Sequence, residues 1–544
     1  MNDKKPDTAC QAFDVVIIGA GFAGMYMLHK CRGLGLSAIV LDAAGDVGGT
    51  WYWNRYPGAR CDIDSLDYSY SFDDDLQQEW KWSERYSPQA EILDYAAHVA
   101  KRFDLRRDIR FDTLVVSASF DEAATQWELV TDTGAAFRGT WCVMAVGCLS
   151  LPQKPDFDGL DDFRGPWYHT GLWPHEAVDF TGMKVGVVGT GSSAIQSIPQ
   201  IAKQASHLTV FQRTPNFSVP AWNGPLDPER EQEVKADYAV FRECARWSQS
   251  GYNGEESHES GHEASANRQR SELERRWAVG GFTVLSTFSD IGNDLEVNKI
   301  VADFAHEKIR ERVNDPAVAD LLCPKNHPFG TKRLCVDIDY YETYNRENVT
   351  LVDIKDAPIE RITPTGLATS SGSYEFDAIV FAIGFDAMTG PLLNIDIRGR
   401  AGEPLRDKWE EGPQSYLGLT VAGFPNMFTV TGPQSPSVLT NMMSAVEQHI
   451  EWISDCLGYL KENGLTLIEA EGTSENDWVR HNEEVGNATL YPLANSWYVG
   501  ANIPGKSSAF MPYAGHFGEY RKLCDEIAAD DYRGFKLEAG EPAA

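Results

Sequence analysis

Val15-Val-Ile-Ile-Gly19-Ala-Gly21-Phe-Ala23-Gly24 decides the fold. A short β-branched run enters three glycines at the spacing of a dinucleotide fingerprint, and residues 25–34 alternate with helical period up to Gly35. Residues 38–41, Ala-Ile-Val-Leu, read as the next parallel strand, with Asp42 closing it 18 residues beyond Gly24. Glycine lets the backbone approach a pyrophosphate, and the helix N-terminus supplies N–H groups and positive potential. An acid at the end of the second strand accepts hydrogen bonds from an adenosine ribose.

The same grammar returns at a strand over 184–188, the fingerprint Gly189-Thr190-Gly191-Ser192-Ser193-Ala194, a helix over 194–202 and a strand over 208–211. This copy ends in Gln212-Arg213-Thr214, and an arginine there suits a 2′-phosphate. The first site therefore reads as FAD and the second as NADPH, in an α/β chain with two Rossmann-like dinucleotide-binding domains. One fingerprint is a weak signal; two, each between strand and helix, are a strong one.

Strand grammar lapses between 222 and about 326, where stretches at 229–246, 272–277 and 295–313 predict a helical insertion in the NADP domain. Residues 251–266, rich in Glu, Gly, Ser and His, predict a mobile loop. Strands return at 378–382 and 427–430, followed by a helix over 446–460. The expected plan is a flavin domain over 1–148, an NADP domain over 149–221, the insertion over 222–326, the NADP domain again over 327–384, and completion of the flavin domain over 385–544.

The 544 residues suit two or three domains, and a formal charge of −32 disfavours nucleic acid and anionic membrane surfaces. No apolar stretch has the length of a membrane span, and residues 1–14 are polar, so a cytoplasmic enzyme is expected. The ten cysteines include no CxxC pair, which argues against a metal site and a redox disulfide.

Gly48-Gly49-Thr50-Trp51-Tyr52-Trp53-Asn-Arg-Tyr56-Pro57-Gly58-Ala-Arg-Cys-Asp62 is a loop able to wrap a flat ring system, since clustered exposed aromatics need a cover. Composition alone favours a loop cap over a functional carboxylate for Asp62.

Phe163-x-Gly165-x3-His169-x3-Trp173-Pro174, lying before the second fingerprint, resembles the signature of type I Baeyer–Villiger monooxygenases. The 48–62 loop is similar to that family's second signature. The likeness extends to Gly330-Thr-Lys332-Arg333, Gly384-Phe-Asp386 and Ala494-Asn-Ser-Trp497, and is nearest the phenylacetone and steroid monooxygenase branch.

The resemblance implies an FAD- and NADPH-dependent enzyme that converts a ketone (linear, cyclic, aryl or steroid-like) and O2 to an ester or lactone through a flavin C4a-peroxide, with sulfoxidation as a side activity. It implies Arg333 and Asp62 as the catalytic pair. Flavin contacts would come from Gly19, Gly21, Ala23, Gly24, Asp42, Gly49, Thr50, Trp51, Tyr52, Trp53, Asp62, Tyr68, Val115 and Met442. NADP contacts would come from residues 189–194, Gln196, Arg213, Thr214, Lys332, Arg333 and Trp497, and substrate contacts from Ser437, Val438 and Leu439 in the 432–442 loop. His169 is expected to act on the linker between domains, and no metal is implied. Chemistry agrees, since negative charge develops on oxygen and a guanidinium stabilises it without titrating.

Val146 and Ile383 stand where the family commonly has threonine at the two inter-domain junctions. An N- or S-oxygenating flavin monooxygenase would share both fingerprints without needing Arg333 and Asp62. A nucleotide-binding sensor would need neither that pair nor the aromatic loop. A monomer is expected.

Overall fold

The computed structural model describes residues 10–539. The polar start at 1–9 and the tail at 540–544, which belong to the expected bounds of the flavin domain, lie outside the described residues.

The first fingerprint connects strand Gln11–Ile18 to helix Phe22–Gly33, and strand Ala38–Leu41 follows. Gln11–Ile18 lies between Ala38–Leu41 and Ala136–Met144, parallel to both, with Ile18, Leu41 and Met144 in register at one edge. These strands belong to an eight-stranded sheet that also takes in Asp396–Arg398 and Met427–Thr429 from the far end of the chain. Its buried Val, Ile and Leu leave only backbone at that edge, where the Gly-rich turn sits.

The second sheet has five parallel strands in the spatial order Val349–Asp353, His207–Gln212, Lys184–Val188, Ala378–Phe381 and Trp167–His169. Val188, Phe211 and Phe381 align at its fingerprint edge. The sequence places strands 38–41 and 184–188 with their observed limits; both helices start two or three residues earlier than their apolar pattern, because the fingerprint itself supplies the first turn.

The close approaches are the same in both halves. Gly19 and Gly189 have φ of +105° and +111°, and a Cβ on either would come within 2.4 Å of a carbonyl oxygen, that of Ala145 or Ala382. Each alanine begins an Ala-x-Gly turn with a positive-φ glycine, Gly147 or Gly384. The chain crosses between the sheets at these two turns, and the crossing segments are paired with each other. Pro152 bridges Phe385, Gln153 N donates to Gly384 O at 3.0 Å, and Asp386 N donates to Leu151 O at 2.9 Å.

Between strands Ser218–Pro220 and Cys335–Asp337, which pair in parallel, lie helices Pro228–Ala236, Tyr238–Trp247, Ala266–Val279, Leu295–Arg312 and Pro316–Leu322. The stretch 251–265 is irregular, as its composition predicts, but it is tied down. Asn253 donates twice to Asp67, Glu255 pairs with Arg275, and Ser260 donates to Asp290. Its polar groups have found partners on the helix Ala266–Val279 and on the turns at Asp67 and Asp290.

Candidate functional site

The 48–62 segment closes over the first fingerprint. Gly48 N donates to Ala20 O at 3.1 Å, and a Cβ on Gly49 would meet Gly21 Cα at 2.8 Å. The expected loop contains a helical turn, Thr50–Trp53, which buries Trp51 and leaves Tyr52 and Trp53 half-buried. Trp51 Nε1 donates to Tyr68 OH at 3.1 Å. Asp42 accepts from the backbone of Ala20 and, at 2.6 Å, of Ala44; burial nevertheless pushes its carboxyl above the usual range. Gly24 cannot gain a side chain, because a Cβ would come within 1.8 Å of Gly19 O. The cradle of Gly19, Gly21, Gly24 and Gly49, with the small Ala23 and the hydroxyl of Thr50 beside it, presents bare backbone at a helix N-terminus, which fits the pyrophosphate of a flavin dinucleotide.

At the second fingerprint Gly191 faces open space within 4 Å of an added Cβ. The hydroxyls there are in use: Thr190 donates to Thr214 O at 3.0 Å, Ser193 pairs with Thr170 at 3.0 Å, and Ser192 meets Cys335 Sγ at 3.2 Å. Gln196 is committed to the aromatic segment, taking Tyr56 OH at 2.8 Å and donating to Arg60 O at 3.1 Å. It ties the two halves together. Burial and the neighbouring Arg213 hold the Lys332 ammonium below its ordinary range. Among the described residues neither cation has a carboxylate in ion-pair range. Two adjacent cations without a counter-charge fit a bound phosphate.

Arg333 joins these halves. Its Nε and Nη2 grip both oxygens of Asp62 at 2.8–3.1 Å, and Nη1 donates to Val438 O in the 432–442 segment. The Phe282 ring lies 5.0 Å from its Cζ. Burial opposes the charge, but Asp62 and then Tyr498 outweigh it and hold the guanidinium above its usual value. Asp62 is therefore the fork partner of Arg333, 271 residues away in sequence, rather than the cap its composition suggests.

Around this pair Val438, Leu439, Met442 and Trp497 gather in one apolar cluster with Cys148, Met388 and Tyr498. Ser437 beside them is fully buried, and among the described residues its hydroxyl has no partner. Val115 stands apart, its side chain in the core with Ile18 and Leu41. His169 is buried, its Nδ1 accepting from Gly171 N at 2.9 Å, and burial lowers its pKa to about 4. It caps the short turn Thr170–Leu172 that leaves its own strand, Trp167–His169, at the edge of the second sheet.

Sequence reasoning missed Phe282, the Val438 carbonyl and the Tyr56–Gln196 tie. The Gly280-Gly281 pair was the only visible signal for the first: a Cβ on Gly281 would meet Tyr86 OH at 2.2 Å, so the backbone there is pressed inward. A main-chain carbonyl leaves no trace in composition.

Residues 12–219 match the flavin-binding monooxygenase-like family model. A Baeyer–Villiger monooxygenase of Pseudooceanicola batsensis is 42% identical over 96% of this chain and 95% of its own length. The chain belongs to the Baeyer–Villiger monooxygenase family. A solved structure of oxidized steroid monooxygenase bound to NADP superposes on this monooxygenase with a TM-score of 0.94 at 49% identity, covering 97% of this chain and all of the other. A phenazine N-monooxygenase of Lysobacter antibioticus is 41% identical over 96% of the chain and 97% of its own length. A solved structure of OTEMO in complex with FAD and NADP is 39% identical, with a TM-score of 0.94, covering 97% of this chain and all of the other. No helix among the described residues is long and apolar enough to cross a membrane.

Proposed function

We propose that this monooxygenase converts ketones to esters or lactones with O2, with Arg333 and Asp62 at the reacting centre. The observation that carries the reading is the forked Arg333–Asp62 pair set against the Val438, Leu439, Met442 and Trp497 cluster. Bound FAD, reduced by NADPH, supplies the activation of O2. Everything else falls to the chain. Asp62 fixes one edge of the guanidinium, Val438 O holds another N–H, and Phe282 covers a face, so Arg333 is oriented before charge develops. Guanidinium carries five N–H donors, and these contacts leave at least one, on Nη1, free to receive negative charge on a substrate oxygen. Because Arg333 keeps its proton at any working pH, it stabilises that charge without titrating. The apolar cluster excludes water and accepts a carbon skeleton.

Arg333→Ala is expected to retain reduction of the flavin by NADPH while ester formation falls by about 10²–10³-fold. Stopped-flow reduction and product analysis by mass spectrometry check this, and normal ester yield from the variant would refute the assignment. The phenazine N-oxygenating relative supports a second reading, attack on a heteroatom; an aza-aromatic and a sulfide run beside a panel of linear, cyclic, aryl and steroid ketones decide between them.

A further inference from the structure

Tyr498 sits in the short turn Trp497–Val499 and has no role in the reaction described above. Ser496 caps the turn by accepting from Tyr498 N at 3.3 Å, Gly500 ends it at φ of +73°, and Met511 N donates to Tyr498 O at 2.9 Å. The residues that follow are tied to the inter-domain crossing: Asn502 Nδ2 donates to Phe385 O at 2.8 Å, and Lys506 pairs with Asp386 at 2.6 Å. The backbone that carries Tyr498 is therefore held on both sides. Its ring is 4.3 Å from that of Trp497 and 5.5 Å from that of Tyr491, and it packs in one cluster with Val438, whose carbonyl accepts from Arg333 Nη1.

The polar end of this side chain is uncommitted but not closed off. Tyr498 is 1% exposed; its hydroxyl bonds to no described residue and, unlike the hydroxyl of Tyr341, is not among the atoms sealed from water. Charge puts that hydroxyl beside Arg333. Asp62 and then Tyr498 raise the guanidinium most, and Arg333 is in turn the foremost charge acting on the Tyr498 hydroxyl, ahead of Tyr491 and Asp62. Burial outweighs these charges and pushes the phenol well above its ordinary value, so it keeps its proton at any working pH. The bonds of Arg333 go to Asp62 and Val438 and none to Tyr498, so both neighbours still have a donor to give.

We propose that the Tyr498 O–H and the free N–H on Arg333 Nη1 together seat the carbonyl oxygen of the ketone, making Tyr498 a further catalytic residue for oxygen insertion. The proposal rests on the reading of Arg333 given above. As the carbonyl carbon is attacked, its π electron pair moves onto the oxygen; both donors tighten on that charge and neither gives up its proton. A sulfide has no such oxygen, and its oxygenation does not need the seat.

The test uses FAD-loaded holoenzyme and Tyr498→Phe, which keeps the ring and removes only the hydroxyl. Ester and H2O2 formed per NADPH consumed are measured with the ketone that the wild type turns over best, and sulfoxide with an aryl methyl sulfide. Flavin reduction is followed by stopped flow and NADP+ binding by titration. Ester formation should fall by about 10–10²-fold, less than in Arg333→Ala because a neutral donor is weaker than a charged one, with NADPH diverted to H2O2. Sulfoxide yield, flavin reduction and NADP+ affinity should stay within about twofold of wild type, less than the loss of one hydrogen bond brings.

Wild-type ester formation in Tyr498→Phe would overturn the proposal, as would equal losses of ester and sulfoxide, which mark a distorted pocket. Weaker NADP+ binding would also overturn it, by giving the hydroxyl to the dinucleotide. If the wild type oxidises no sulfide, flavin reduction and NADP+ affinity serve as the controls. Should Tyr498→Phe fail to fold, Tyr498→Leu, which likewise lacks a donor, is measured against the same controls. If the wild type forms no ester from any ketone, the reading of Arg333 falls and this one with it; an unchanged Tyr498→Phe beside an ester-forming wild type sinks the Tyr498 seat alone.

Discussion

At the scale of single residues, charge placement separates the two nucleotide sites. Asp42 closes one strand and Arg213 the other, and both were visible from their position after a β-branched run. Lys332 was visible only through family likeness, because 119 positions separate it from Arg213 and only folding makes them neighbours. That neighbourhood has a pH signature. Burial, and then Arg213, lower the Lys332 pKa, so the ammonium is lost at a pH where an ordinary lysine still holds its proton. A phosphate favours the protonated form. NADP+ affinity should therefore fall as pH rises through the lowered Lys332 value, whereas NAD+ affinity stays flat. Titrations between pH 7 and 10 check this, and Lys332→Arg should remove the alkaline decline. Arg213→Ala should reduce the preference for NADPH over NADH by about tenfold or more, from the ratio of kcat/KM values, since one charge-assisted contact is worth about 1.5–3 kcal/mol.

At the scale of elements, periodicity located strands and helices well because the buried faces of a parallel sheet tolerate little but Val, Ile, Leu and Phe. The candidate site was only half legible. Glycines and the Arg333 motif have local spacing, but the contacts that hold them cross between elements: Tyr56 to Gln196, Asp62 to Arg333, Val438 to Arg333. The aromatic segment reads as a loop because its helical turn spans only four residues, too short to show a period. Gly58 tests how this segment docks. It has φ of +84°, and a Cβ would come within 2.3 Å of Gln196 O on the second fingerprint helix. Gly58→Ala should destabilise by about 1–3 kcal/mol through overpacking and positive-φ strain, and should loosen FAD. Flavin fluorescence released on heating reads both, with a lower transition expected than for wild type.

At the scale of the whole molecule, several titratable groups are sealed in. His449 is fully buried, its Nδ1 accepting from Thr431 N at 3.0 Å, and burial lowers its pKa to about 3. The unfolded chain therefore binds a proton on this residue more readily than the fold does. Its contribution to stability is present above about pH 6.5 and is lost as pH falls from there toward 3, at up to about 1.4 kcal/mol per pH unit. Asn in its place can still accept from Thr431 but cannot be protonated. His449→Asn should thus lose less Tm than wild type between pH 6.5 and 4.5, by calorimetry, even if it starts lower.

The paired crossing at Pro152 and Phe385 has a mechanical consequence. A single strand between two bodies lets one swing and spin about the other. Two strands laced side by side form a flat strap, pliant across its width and stiff against torsion. Such a strap resists twisting of one sheet against the other, and so guards the register in which Arg333 meets Asp62.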